Sequence, residues 1–402
     1  MTNNKPEIPY GAYWSTPYFK WQGKIQNLHS MKFAAWVAKR ELEKRDISLE
    51  VFDHGIFGYT VPQMQSFYGM PWLASEIGAP HLTGQTISQA CATGARCLLA
   101  AEQEINAGVA STVLVVTADR CSNGPHVYYP APSGPGGTGR HEDWVLDNFS
   151  NEPVGKHAML NTAENVVKKH NISTAEQHEV VLQRTAQYQM ATADNYAFQK
   201  RYMSLPFDIP DPRFKKVVDS ADGDEGVVLS TEEGLAKLKP VLPDGTVTFG
   251  GQTHPADGNS ALIFATSEKA QALSKDSGIK ISVLGWGQSR CQLAHMPEAP
   301  IPAAKAALQQ AGLEIKDIDA FKTHNPFAVN DIVFAKQTGA PLEKMNNYGS
   351  SLIWGHPQGP TGLRSVIELI EELVINGGGT GLFVGCAAGD SSMGLVVRVE
   401  DR

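Results

Sequence analysis

Apolar residues concentrate in two related blocks, one towards each end of the chain. In the first, residues 94–107 carry Ala, Leu and Ile at helical spacing, and residues 112–118 follow as a β-branched run. In the second, residues 362–376 and 381–386 repeat that order of helix and then strand. Recurrence at i, i+3 and i+4 predicts a helix with a buried face, and short β-branched runs predict buried strands. The blocks align without a gap: Thr93-Gly94-Ala95-Arg96 meets Thr361-Gly362-Leu363-Arg364 at a shift of 268 residues, and Thr112, Leu114 and Val116 meet Thr380, Leu382 and Val384. A weaker match pairs residues 49–53 (LEVFD) with 315–319 (IKDID), each ahead of a short apolar run. Internal self-similarity of this kind predicts a duplicated α/β half, each copy with a mostly buried sheet covered by helices.

Between the blocks the pattern breaks. Residues 121–157 are rich in Gly, Pro, Ser and Asn and read as irregular loop. A helical stretch is predicted over about 158–200, where Ala163, Val166, Val167, Val180, Val181, Ala186 and Met190 recur at helix-like intervals. The chain to about 247 is then polar and turn-rich. The expected organisation is a first half formed by 1–120 plus 248–272, an inserted loop domain over 121–247, and a second half over 273–402.

Composition narrows the function classes. The 402 residues are 42% hydrophobic and 19% charged, ordinary for a folded globular chain. A net charge of −8 argues against a general nucleic-acid binder, which needs a basic face. No apolar run approaches the ~18 residues of a membrane span. The opening MTNNKPEIPYGAYW lacks the basic-then-apolar form of a secretory signal, so a cytoplasmic protein with no membrane partner is expected. Five cysteines (Cys91, Cys97, Cys121, Cys291, Cys386) form an odd, widely spaced set with no CxxC pair. Neither a disulfide framework nor a structural metal site is expected from them, and each is weighed as a core side chain or a reactive thiol.

Cys91 stands just before the first repeat's helix with small residues on both sides. Helix N-termini present unpaired N–H groups and a positive dipole end, and both favour thiolate. Alone, the segment reads more readily as a core cysteine. Two segments of the second repeat change the weighing. His356 lies in a Gly/Pro turn (WGHPQG) opening that repeat's helix, and Cys386 lies where its strand runs out. His324 follows another short apolar run. Carboxyl ends of strands and N-termini of helices form the binding crevice of α/β sheets, so a pseudo-twofold can bring these residues to one pocket.

These segments resemble the thiolase family, which makes or cleaves 3-oxoacyl-CoA by Claisen chemistry. ISQACATGARCLLAA (87–101) is similar to its nucleophile motif; THNPFA (323–328), WGHPQGPTGLR (354–364) and VGCAAG (384–389) are similar to its second-half motifs. MLNTAEN (159–165) and residues 232–261 extend the likeness, so it runs from about residue 10 to 400. The resemblance implies a duplicated five-layered α-β-α-β-α architecture with an inserted loop domain that covers the pocket. It implies Cys91 as the acyl-accepting nucleophile, His356 as its activating base and Cys386 as the acid/base at the substrate α-carbon. Backbone N–H groups of Cys91 and Ala388 would form one oxyanion hole, and His324 with His356 another. Met159, Thr253 and Phe327 would contact the CoA substrate. No bound cofactor and no metal are implied; CoA thioesters are the substrates, and the chain would assemble as a homodimer or homotetramer, with room for a further protein partner.

Departures from the commonest pattern bear on specificity. Where many members carry Asn-Glu-Ala-Phe, this chain has His324-Asn325-Pro326-Phe327, as in the branch resembling sterol-carrier-protein thiolases. His254 is bulky for a CoA-facing loop, and Asp390 puts a charge near Cys386 that would oppose its thiolate if buried there. Trp144, Tyr128 and Tyr129 are expected to shape the acyl side. Arg213, Lys215 and Lys216 read equally as a phosphate contact or a solvated turn. A retro-aldol lyase acting on a CoA thioester and a non-catalytic acyl-CoA-binding subunit remain as other readings.

Overall fold

The computed structural model describes residues 6–401. Its centre is a mixed sheet of eleven strands. In the first half, Gly84–Ile87, His54–Gly58 and Thr112–Arg120 run parallel, and Ala256–Thr266 pairs antiparallel to the last. In the second half, Ala320–His324 and Gly379–Ala387 are parallel, followed antiparallel by Ser391–Asp401 and Ile279–Arg290. The short strand Pro6–Glu7 pairs with both Ala256–Thr266 and Ile279–Arg290, so two expected sheets join into one.

The repeat is physical. Leu49–Val51 and Ile315–Asp317 are both single 3₁₀ turns leading into a strand. Each is followed by an aspartate that ties the start of the next parallel strand. Asp53 accepts from the Thr112 N–H at 3.0 Å, and Asp319 accepts from the Thr380 N–H at 2.8 Å. The two repeat helices, Thr93–Asn106 and Gln358–Ile375, cross against each other at the middle of the molecule. There Gly94 and Gly362 let backbone meet backbone: a Cβ on Gly94 would stand 2.7 Å from the Leu363 N. The shared Thr-Gly-x-Arg motif is therefore the contact itself. It brings the start of each helix, and so Cys91 and His356, to one place.

The structure refines the reading of the insertion in two ways. The helical stretch over about 158–200 consists of two helices, Met159–His170 and Thr174–Tyr196. Asn171 takes the left-handed conformation (φ 50°) and stops the first. Ser173 and Glu176 then cap the second reciprocally, a start signal that the apolar period alone conceals. Residues 121–157 are also less irregular than expected. They hold an antiparallel hairpin of His126–Tyr129 with Arg140–Asp143 and a short helix, Leu146–Ser150. No helix among the described residues is long and apolar enough to cross a membrane.

Candidate active site

Cys91 follows a strained residue. Ala90 adopts φ 45°, a left-handed conformation that L-residues avoid. Thr93 holds the turn: its hydroxyl accepts from the Gln89 N–H at 2.8 Å and donates to the Ala90 carbonyl at 2.7 Å. The turn projects a half-buried Cys91 side chain. The expected thiolate does not result. Burial pushes the Cys91 thiol up to about 11, outweighing donation from the backbone N–H groups of Ala388 and of Cys91 itself. A helix end is worth less here than the loss of water. Cys91 therefore needs a base.

His356 supplies one from the other half. Gly355 turns the chain at φ 94°, where a Cβ would strike His254 and Ala256, and the His356 N–H donates to the His254 carbonyl at 2.9 Å. The imidazole Nε2 lies 3.2 Å from Cys91 Sγ, and Nδ1 lies 2.7 Å from the Thr361 hydroxyl. That hydroxyl already donates to the Pro357 carbonyl at 2.6 Å. It can only accept from His356, so Nδ1 carries the proton and Nε2 is a bare acceptor facing the thiol. Burial, with His324 and His254 adding to it, holds His356 far below the ordinary histidine value, so the pair rests as thiol and neutral imidazole. Asp119 ties this turn to the first half, accepting from the backbone N–H groups of Gly359 and Thr60 (2.7 Å each) and of Val61 (2.9 Å). Burial lifts its carboxyl to about 6.

His324 ends the Ala320–His324 strand, and its ring stacks on His356 with centroids 4.0 Å apart. Its Nδ1 lies 2.8 Å from the Ser351 hydroxyl, and its buried Nε2 has no partner. Burial lowers its pKa to about 3, so this ring is neutral as well. The Ser351 proton has two acceptors within reach, His324 Nδ1 and Asn325 Oδ1 at 3.2 Å. Donating to Asn325 leaves His324 Nε2 a bare lone pair; donating to Nδ1 makes Nε2 a hydrogen-bond donor. Cys386 is held by Asn330, whose Nδ2 donates to Sγ at 3.3 Å while its Oδ1 accepts from the Phe327 N–H. Burial and then the neighbouring Cys91 push the Cys386 thiol well up.

A cavity of about 550 Å³ opens onto this cluster, with Cys91 and His356 on its wall. Met159, Thr253, Phe327 and Ala388 line it too, while His324 and Cys386 are buried rather than on the wall. Trp144 lines the cavity as expected, but neither Tyr128 nor Tyr129 of the exposed hairpin does; Tyr129 reaches it only through its hydrogen bond to Glu142, which lines it. His254 does not face the cavity either: it packs beneath Gly355 and supports His356 through its carbonyl. Asp390 is buried, yet its carboxylate accepts from the Ala294 and His295 N–H groups at 2.9 and 3.0 Å and so fixes that loop. Burial and then Asp390 push the Cys291 thiol up, whereas burial and then Cys91 act on Cys386. Arg213, Lys215 and Lys216 form an exposed turn in which Asp211 accepts from the Lys215 and Lys216 N–H groups, and none of the three lines the cavity. Asp119, Asn330 and Ser351 carry no spacing that marks them, and Thr361 is marked only as part of the repeat; each matters through contacts supplied by the fold.

Comparison with known proteins identifies the family. The thiolase N-terminal domain model matches residues 12–268, and the thiolase C-terminal domain model matches residues 279–399. An acetyl-CoA acetyltransferase of Chromobacterium violaceum is 28% identical over 400 residues, covering 98% of this chain and 99% of its own. The human mitochondrial 3-ketoacyl-CoA thiolase is 27% identical over 390 residues, covering 95% and 96%. The crystal structure of human mitochondrial 3-ketoacyl-CoA thiolase superposes with a TM-score of 0.89 at 25% identity, covering 98% of this chain and 99% of that one. The Bacillus anthracis acetyl-CoA acetyltransferase gives 0.88 at 26% identity, with the same coverage. With both domain models matched in order across nearly its whole length, the chain belongs to the thiolase family of acyltransferases.

Proposed function

We propose that this protein catalyses the reversible Claisen condensation and thiolytic cleavage of 3-oxoacyl-CoA through an acyl-enzyme on Cys91. The observation that carries the reading is the 3.2 Å contact between the Cys91 thiol and the bare Nε2 of His356. His356 takes the thiol proton as sulfur attacks the acyl-CoA carbonyl and keeps it, while Cys386 gives its own proton to the departing CoA sulfur and is left as thiolate. A covalent acyl-enzyme splits one hard condensation into two easier steps. The N–H groups of Cys91 and Ala388 receive the developing oxyanion, a role supported by their both donating towards the Cys91 sulfur.

In the second step the Cys386 thiolate takes the α-proton of acetyl-CoA, the resulting enolate attacks the acyl-enzyme, and His356 returns its proton to the released Cys91 sulfur. In the cleavage direction Cys386 returns that proton. His324 Nε2, made a donor when Ser351 turns its proton to Nδ1, holds the enolate oxygen together with protonated His356. Met159, Thr253 and Phe327 contact the CoA substrate along the cavity. Relatives named acetyl-CoA acetyltransferase and 3-ketoacyl-CoA thiolase, and the related human thiolase solved in complex with CoA, support this substrate class. Exposed Met64 and Phe67 (82% and 92% accessible) support a homo-oligomeric working form, and five free thiols suit a reducing, cytoplasmic location.

The test is intact-mass analysis with peptide mapping after incubation with a panel of acyl-CoAs. An acyl group should appear on Cys91 with release of CoA, and Cys91→Ala should abolish both. Turnover without an adduct would instead indicate a lyase; tight CoA association with neither event, a binding subunit.

A further inference from the structure

His324 adds a second ring to the Cys91–His356 pair. It places two neutral imidazoles and a thiol together. The Cys91 sulfur and one ring nitrogen each of His324 and His356 lie within 4.8 Å of one another. Both imidazoles are oriented from behind by hydroxyls at Nδ1, Ser351 at 2.8 Å and Thr361 at 2.7 Å, which leaves both Nε2 atoms for the site. Ligating histidines are characteristically held this way through the nitrogen that does not bind. The arrangement that satisfies every partner of Ser351 is the one that leaves His324 Nε2 bare: Ser351 donates to Asn325 Oδ1 and accepts from the Asn325 N–H and from His324 Nδ1. That nitrogen is buried and has no partner within the protein.

We propose that Cys91, His324 and His356 bind a thiophilic divalent cation such as zinc, and that this ion reversibly blocks the enzyme. Zn–S bonds of about 2.3 Å and Zn–N bonds of about 2.0–2.1 Å put tetrahedral donors roughly 3.3–3.6 Å apart. The Cys91–His356 pair is already 3.2 Å apart, and turning the His324 ring out of its stack on His356 closes the two remaining edges, each within 4.8 Å. Thiolate and imidazole donors suit zinc rather than magnesium or calcium. The fourth position faces the cavity, where Cys91 and His356 lie on the wall, so water or a substrate sulfur can occupy it. Binding replaces the Cys91 S–H bond with an S–Zn bond and releases one proton to solvent. Because the ion consumes both the thiol and the His356 lone pair, no acyl transfer to Cys91 can proceed while it is held. The inhibitory consequence rests on the acyl-enzyme reading; the binding itself does not.

Titration of the full-length protein with zinc against a chromophoric chelator should give one ion per chain bound at this site. His324→Asn should weaken that binding by at least about 10-fold. Cobalt(II) should produce a thiolate charge-transfer band that Cys91→Ser abolishes, and zinc should protect Cys91 from iodoacetamide until a chelator is added. Unaltered zinc affinity in His324→Asn, with its folding verified by circular dichroism, would overturn the proposal, as would a cobalt complex of the wild type lacking the thiolate band. An acyl adduct on Cys91 without zinc binding sinks this inference alone. Zinc binding without any adduct sinks the acyl-enzyme reading and leaves the metal site standing.

Discussion

At the scale of single residues, hydroxyl protons decide what the imidazoles can do. Thr361 has one proton, and the 2.6 Å contact with the Pro357 carbonyl claims it, so His356 must present its lone pair to Cys91. Thr361→Val keeps the shape but leaves the Nδ1–H without an acceptor. Such a buried orphan costs about 1–3 kcal/mol, and the ring escapes the penalty by moving its proton to Nε2. The base is then lost. We expect acyl-enzyme formation, measured as single-turnover CoA release, to fall by roughly 10²- to 10⁴-fold, in line with other misassigned catalytic tautomers. KM should change little, and Thr361→Ser should restore most of the rate; loss of packing alone would not be rescued by the smaller hydroxyl. Cys91 and His356 were legible in the sequence because reactive residue types recur at matching ends of a repeat. Thr361 was read only as half of that repeat, since a tautomer lock depends on a carbonyl contact that no spacing records. The low thiol pKa expected at a helix start failed for a related reason: the sequence displays the helix but not the depth of burial.

At the scale of elements, the crossing of Thr93–Asn106 and Gln358–Ile375 sets the distance between nucleophile and base. The duplicated glycines at the crossing are not equivalent. A methyl on Gly94 would stand 2.7 Å from the Leu363 N and 2.8 Å from the Gly359 O, both backbone atoms of the facing helix that cannot turn aside. A methyl on Gly362 would first meet the Ala95 N at 3.4 Å, close to ordinary contact. Gly94→Ala should therefore destabilise the protein by about 1–3 kcal/mol through overpacking, and by parting the helices it should depress activity beyond its effect on stability. Gly362→Ala should be neutral, or gain up to about 1 kcal/mol because glycine disfavours helix interiors. Denaturant melts of the two variants check both signs. The repeat that positions these helices was readable from Thr-Gly-x-Arg and the strand register. The break at Asn171 was not, because helical periodicity resumes after Ser173 and masks the interruption.

At the scale of the whole molecule, the insertion makes the two halves unequal. Arg96 and Arg364 occupy matching repeat positions, yet Arg96 is only partly buried, whereas Arg364 is sealed beneath the insertion. Arg364 binds Asp224 of the insertion through two bonds of 2.6 and 2.8 Å and Glu368 through a third of 3.0 Å. Its guanidinium lies against Tyr18 from the first half and Trp354 beside the catalytic turn. Glu368 also accepts from Tyr202 and Lys322, both at 2.8 Å. All three parts of the chain thus meet at one buried charge cluster, next to the turn that carries His356. Composition could not reveal it, because an acidic total hides which charges are interior. Arg364→Met keeps the apolar contacts but strips Asp224 of its cation, and breaking a buried pair from one side costs about 3–5 kcal/mol. Adding Asp224→Asn removes the stranded charge, so the double variant should be less destabilised than the sum of the two single changes, with a coupling of about 0.5–3 kcal/mol. Chemical denaturation of the four proteins measures that coupling, and limited proteolysis of Arg364→Met should cut first within residues 121–247, where the insertion loses its anchor. Additive effects and unchanged cleavage would mean that the insertion is held by its apolar contacts alone, among them Val166, Val180 and Val181 packed against Val329 and Ile332 of the second half.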